Sequence, residues 1–308
     1  MNKIKPQRVL FIKLGREGGF EKECIEEKNY LRLGYNEIDH DLCTNGDWDK
    51  VYQNFINDLR TKSFVASSHT NQIKQFYEED ENTLWITFYL NKLWWCFSKP
   101  EISILPDGTK TRPVSGKWSD KDFHGNVLIN SNLSGKLLKT QGFRGTICRV
   151  PEEKYAISKI NGEQLKEVVE VEKAMNDLKE KLSLLIQNLQ WKDFETLIDL
   201  IFRQAGWQRV GDTGKTQKTL DLELLAPVTG ERGIVQIKSE SSLQEFLSYQ
   251  KTFSEMNEYD KFFFVVNKVT PDLLNYENDS DTILYFGDKI AELAISSGLV
   301  DWIIKKTS

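Results

Sequence analysis

Asp221, Gln236 and Lys238 are the residues of this chain whose types and spacing most clearly suggest chemistry. They sit in TLDLELLAPVTGERGIVQIKSES, residues 219–241, where two short apolar runs flank a turn. Asp221 interrupts the first run, and Gln236 and Lys238 interrupt and end the second. A carboxylate in an otherwise apolar strand is costly unless it is paired or bound to a metal. Positions 236 and 238 share one strand face because side chains alternate with period two. Asp221 and Gln236 supply hard oxygen ligands of the kind Mg²⁺ prefers, and Mn²⁺ can take the same place. Lys238, beside such a metal, can position or deprotonate an attacking water. Glu223 lies on the same strand face as Asp221 and could share the metal. Glu195, on the helix before these strands, is a further acid. The alternatives are a satisfied core polar group and a buried ion pair.

The elements that must position these residues form an alternating series. WKDFETLIDLIFRQAGW reads as a helix ending at Ala205-Gly206. LDLELLA and RGIVQIKS read as strands, SLQEFLSYQKTFSEM as a helix, KFFFVVN as a fully buried strand, and TILYFG and DKIAELAISSG as a strand and a helix. That order predicts an α/β layer with a central sheet. Upstream, GEQLKEVVEVEKAMNDLKEKLSLLIQNLQ lacks proline and repeats apolar residues at helical spacing. It reads either as an amphipathic connector packed on one domain or as a dimerising helix.

The first half is mostly β in pattern. RVLFIKLG reads as a strand entering a glycine turn, and NTLWITFYLNKLWWCFSKPEI as a hairpin turning at Asn91-Lys92. NVLINS and GTICRV read as further short strands. GDWDKVYQNFINDLR and SSHTNQIKQFYEE read as helices. Short strands interleaved with two helices predict a small, strongly curved sheet or barrel. The fold class expected is therefore a two-domain α+β and α/β protein, with domains at 1–155 and 191–308 and a helical linker at 156–190.

Trp94 and Trp95 are adjacent and must face opposite sides of a strand, so one leaves the core unless both faces are covered. An aromatic slot with a few polar groups can hold a flipped base by stacking. Trp94, Trp95, Trp118 and Asp120 are candidates for such a slot, with Trp118 and Asp120 expected in a loop. The alternative is that these tryptophans are core. Arg144, in KTQGFRG, could meet phosphate or could be a structural ion-pair residue.

With 39% hydrophobic and 28% charged residues, the 308-residue chain has room for two cores. A net charge of −5 argues against nonspecific coating of nucleic acid but leaves room for a local basic groove. No apolar run approaches a membrane span, and the N-terminus lacks the pattern of a signal peptide. Cys24, Cys43, Cys96 and Cys148 have no CxxC spacing and the three histidines are isolated, which excludes a zinc pattern and points to a reducing cytoplasm.

The order helix-Glu, strand-Asp, strand-Gln-x-Lys resembles the PD-(D/E)XK nuclease superfamily. The run from Trp191 to Trp302 is similar to its Mrr-like restriction endonuclease branch. The resemblance implies Asp221 and Gln236 as metal ligands, Lys238 as the catalytic lysine and Glu195 as an auxiliary acid. One departure is Leu220, where the family usually has glycine before the aspartate. The glycines, aromatics and strands of LFIKLGREGGFEKECIEEKNYLRLGY, QIKQFYEEDENTLWITFYLNKLWWCF and LSGKLLKTQGFRGTICRV resemble PUA-like domains, the group that includes the EVE and YTH folds. Together the two resemblances imply a Mg²⁺-dependent endonuclease in antiphage restriction. Its first domain would read a modified base in double-stranded DNA, and cutting both strands would favour a homodimer. A noncatalytic reader of modified nucleic acid and an RNA-directed nuclease are the alternatives.

Overall fold

The computed structural model describes residues 3–210, 221–277 and 280–308. Two compact units emerge, Met1–Leu165 and Lys166–Ser308. The protein is a mixed α+β chain with one curled sheet and a second, separate sheet. Among the described residues no helix is long and apolar enough to cross a membrane.

The first unit holds strands β1 (Arg8–Ile12), β2 (Tyr30–Leu33), β3 (Thr83–Tyr89), β4 (Lys92–Ser98), β5 (Ser103–Ile104), β6 (Lys110–Ser119) and β7 (Ile147–Arg149). Its helices are α1 (His40–Thr44), α2 (Trp48–Asn57), α3 (Ser63–Glu78), α4 (Gly135–Leu138) and α5 (Glu153–Ile160). The sheet runs β2-β6-β4-β3-β1-β7, with β5 also on β6. Only the β1–β3 pairing is parallel; the remaining pairings are antiparallel.

Apolar cores cover both faces of this sheet. Leu10, Ile12, Trp85 and Cys96 enter one core with Phe76 of α3, while Val9, Phe11, Leu84 and Ile86 enter another with Ala156 and Ile160 of α5. Neighbouring residues therefore alternate between two cores and both are buried, which explains the nearly continuous apolar runs of β1 and β3.

The β3–β4 hairpin turns through Leu90 and Asn91, both at positive φ (49° and 62°), the signature of a type I′ turn. The turn thus sits one residue before the expected Asn91-Lys92. The sequence NVLINS forms no strand: Val127 and Ile129 make only isolated bridges, and a 3₁₀ turn follows at Asn130–Asn132.

Strand β6 has no counterpart in the expected elements. It contains Pro113, and its register against β4 shifts between Trp95 and Phe97, near Gly116. It also buries two cations. Arg112 is fully buried and donates to the carbonyls of Phe76, Glu79 and Lys99 at 2.8–2.9 Å. Lys110 Nζ donates to the carbonyls of Tyr35 and Ile38 at 2.6 and 2.7 Å. Neither charge carries a buried counter-carboxylate in these contacts; backbone dipoles satisfy them.

The second unit holds α6 (Lys166–Gln187), α7 (Trp191–Gln204), α8 (Leu243–Ser254), α9 (Gly287–Ser296) and α10 (Val300–Thr307). Its strands are β8 (Gln208–Arg209), β9 (Leu222–Leu225), β10 (Arg232–Ser241), β11 (Lys261–Val269) and β12 (Thr282–Phe286). They order as β12-β11-β10-β9-β8. The β10–β11 and β11–β12 pairs are parallel, while β9–β10 and β8–β9 are antiparallel. Helices α6, α7, α9 and α10 pack on one face, against Leu222, Leu224, Val235, Ile237, Phe263 and Val265. Helix α8 covers the other, where Phe246 meets Ile234, Phe262, Phe264 and Val266.

Helix α6 is a member of this second unit. Leu182 and Ile186 near its C-terminal end are buried in the same core as Phe194 of α7 and Ile290 of α9. Its N-terminal turns leave Val168, Val169, Val171 and Met175 exposed. The span 156–190 is thus divided: α5 belongs to the first unit and α6 to the second.

Candidate functional site

The hairpin β9–β10 and helices α7 and α8 bring Asp221, Gln236, Lys238 and Glu195 together. Leu222 pairs with Val235 across the hairpin, so Asp221 enters β9 beside Gln236 and Ile237. Asp221 Oδ2 accepts from Gln236 Nε2 at 2.5 Å and from the Ile237 backbone N–H at 2.6 Å. Gln236 is 5% exposed, and its amide oxygen Oε1 is buried with no hydrogen-bond partner among the described residues. An unpartnered buried carbonyl oxygen costs on the order of 1–3 kcal/mol, so its presence beside a carboxylate calls for a reason.

Burial pushes the Asp221 carboxyl above its usual range. The Ile237 N–H, Lys238 and Gln236 oppose that rise, and the negative charge of Glu195 adds to it. Glu195 lies in the first turns of α7, paired with Lys192 at 3.0 Å. A carboxyl whose proton affinity is raised by burial and by a neighbouring negative charge is a place where a cation is favoured. Asp221 and Gln236 Oε1 fit a hard divalent cation in donor type, with water for the remaining positions. Among the described residues no group of three or more His, Cys, Asp or Glu side chains is placed to hold a metal.

Lys238 is held from α8. Its Nζ lies 3.2 Å from Glu245 Oε1 and 4.7 Å from the centre of the Tyr249 ring. Burial works against its charge, but the Tyr249 hydroxyl and Glu245 outweigh that and raise its proton affinity. In this arrangement Lys238 is an ammonium group that can orient and neutralise an anion. Glu245 and Tyr249 did not stand out in the sequence. The signal that could have found them is their i, i+4 spacing on the helix that directly follows Lys238.

Glu223 is committed elsewhere. It pairs with Arg232 at 2.5 Å, and Arg232 also stacks on Tyr259 at 5.1 Å. Sharing a strand face with Asp221 does not give it a place beside that carboxylate's partners. Leu220, the departure before Asp221, lies outside the described residues.

In the first unit the candidate aromatic residues lie in different surroundings. Trp118 is 6% exposed on β6, in the core with Trp85, and is not in a loop. Trp94 and Trp95 do face opposite sides, and each is half-buried against a different core. Trp94 packs on the α3-side core and donates to the Tyr89 carbonyl at 3.1 Å. Trp95 stacks on Phe123 at 5.9 Å and donates to the Lys121 carbonyl at 2.8 Å. Asp120 is paired with Lys92 at 2.7 Å. Arg144 is exposed and joins no ion pair among the described residues.

Other aromatic residues border open space. Trp48 and Tyr77, with His40, Glu78, Pro100 and Ile102, line a cavity of about 320 Å³. Trp48 Nε1 donates to Glu78 at 2.7 Å, and the Tyr77 hydroxyl lies 2.8 Å from His40 Nδ1. Trp48 is one of the tryptophans that crowd the first half of the sequence, and it opens α2.

Comparison of the chain with protein-family profiles, with curated proteins and with solved structures finds no match in any of the three.

Proposed function

We propose that the second unit is a divalent-metal-dependent nuclease of the PD-(D/E)XK kind, Mrr-like in its motif order, acting on double-stranded DNA. The observation that carries this reading is the buried Gln236 Oε1, without a hydrogen-bond partner among the described residues, beside the Asp221 carboxylate, with the Lys238 ammonium next on the same strand face. Mg²⁺ or Mn²⁺, when bound, supplies a Lewis acid beside the scissile phosphate and lowers the barrier to hydrolysis. Asp221 and Gln236 hold that cation. Lys238 orients the phosphate and offsets the charge that develops on it. Glu195 adds negative charge that strengthens the attraction for the cation.

The first unit is read as a PUA-like recognition domain. Its base-reading pocket is the Trp48–Tyr77 cavity, which offers aromatic surface together with the polar edges of His40 and Glu78. Recognition of a modified base followed by cleavage makes the chain a modification-dependent restriction enzyme, working as a homodimer to cut both strands.

The test is incubation with methylated duplex DNA, unmodified duplex DNA and RNA, each with Mg²⁺ and with a chelator. Chelator-sensitive cleavage of modified duplex supports the reading. Cleavage confined to RNA changes the substrate class, and tight binding to modified DNA without cleavage under Mg²⁺ or Mn²⁺ replaces it with a noncatalytic reader.

A further inference from the structure

Lys238 is a long, partly exposed side chain on β10, and two residues of the following helix, Glu245 and Tyr249, contact its ammonium group. Glu245 places Oε1 at 3.2 Å from Lys238 Nζ, and its other oxygen, Oε2, accepts from Ser241 Oγ at 3.0 Å. Ser241 is 3% exposed, so the carboxylate is anchored to the same strand that carries the lysine. Ser242 caps α8 by accepting from the Glu245 backbone N–H, which fixes that residue's place in the first turn. One turn further, Tyr249 sets its ring 4.7 Å from the ammonium, and its hydroxyl is a hydrogen-bond partner of that ammonium, the contact that phenylalanine would lack. Tyr249 also packs against Phe264 of β11, with ring centres 5.6 Å apart.

We infer that Glu245 and Tyr249 are positioning residues: they hold the Lys238 ammonium in the orientation it needs toward the phosphate at the Asp221–Gln236 pair. The inference rests on the proposed nuclease function for its catalytic consequence, and on contacts alone for the holding itself. A lysine free in solvent must lose rotamer freedom each time substrate arrives. A lysine already clamped has lost it on folding, and the gain shows in turnover and not in DNA affinity. Ser241 acts one step back, by orienting the carboxylate.

The experiment uses the full chain with Glu245→Gln and Tyr249→Phe, conservative changes that keep shape and packing. Amine labelling of Lys238, read by mass spectrometry on the metal-free protein, reports the holding directly. Single-turnover cleavage at saturating DNA and Mg²⁺ reports the consequence. Both variants should label faster at Lys238 and cleave about 10- to 100-fold more slowly, with DNA affinity within about twofold of wild type. In a Lys238→Ala background neither change should slow cleavage further, a non-additivity that a general structural defect does not produce. Unchanged labelling in both variants, or full additivity with Lys238→Ala, overturns the inference. A wild-type chain that cuts no nucleic acid removes the nuclease reading, and with it the catalytic half of the inference; the labelling result still decides whether α8 holds Lys238.

Discussion

Gln236 Nε2 donates to Asp221 Oδ2 at 2.5 Å, and this bond commits the amide nitrogen to the carboxylate while the amide oxygen stays buried without a partner among the described residues. Two residues fifteen positions apart thereby present a carboxylate and an unused carbonyl oxygen at one point of the β9–β10 hairpin.

Replacing Asp221 should abolish cleavage and leave DNA binding largely intact. Asp221→Asn keeps the shape but loses the charge that attracts a cation, so Mg²⁺-dependent cleavage should fall by at least about 100-fold. Gel-shift titration beside a cleavage assay checks this. Normal Mg²⁺-dependent cutting by that variant sinks the site assignment.

The raised proton affinity of Asp221 gives a sign to the pH dependence. The folded state holds this proton more tightly than the unfolded chain, so the group favours folding at low pH. Metal-free stability should fall as pH rises from the ordinary carboxylate range of about 4 through the raised value. Cleavage should rise over the same window, because only the carboxylate form holds a cation. Asp221→Asn should flatten the stability trend, and melting curves from pH 4 to 8 without metal, on the order of one pH unit apart, read it.

Gln236→Glu places a second carboxylate against Asp221 in a buried setting, where like charges repel. The metal-free variant should melt lower than wild type, by an amount on the order of 2–4 °C for each kcal/mol in a unit of this size. Mg²⁺ should restore more stability to it than to wild type, and cleavage should persist. A folded Gln236→Glu protein with no activity and no metal-induced shift would instead make Gln236 a substrate contact.

Tryptophans should divide by environment. Trp118→Ala removes a core side chain and should cost about 3–5 kcal/mol of stability in the first unit. Trp48→Ala borders the open cavity and should lower discrimination between modified and unmodified DNA by about 10- to 100-fold, the value of one stacked base, with a smaller change in melting. Equal discrimination by Trp48→Ala and wild type removes the proposed pocket.

A fragment of residues 166–308 should fold by itself, because α6 completes the core of the second unit and the boundary falls just before it. It should keep cation-induced stabilisation and lose preference for modified DNA. A fragment starting at 191 lacks Leu182, Ile186 and Leu189 and should melt markedly lower, which circular dichroism will show.

The second unit was largely legible in the sequence. Its strands are apolar enough that Asp221, Gln236 and Lys238 stand out as exceptions, and period-two alternation places 236 and 238 on one face whatever the surroundings. The helix α7 and its end at Gly206 (φ 90°) follow from local spacing and from glycine's tolerance of that backbone. Alternation also told correctly that Trp94 and Trp95 must part. Whether either face was covered depends on which helices return to the sheet, and that is a matter of contacts between residues far apart in the chain.

Tertiary structure alone decided the rest. Strand β6 hid behind Pro113, Lys110 and Arg112, residues that local preference keeps out of a sheet interior. Arg112 can lie there because carbonyls 13, 33 and 36 residues away converge on its guanidinium. Glu223 shares a face with Asp221 by parity, yet Arg232 claims it. Lys238 owes its orientation to Glu245 and Tyr249 on the following helix. Periodicity states which side chains share a face. The partner each one meets is set by packing across the fold, where burial makes an unpaired charge too costly to leave alone.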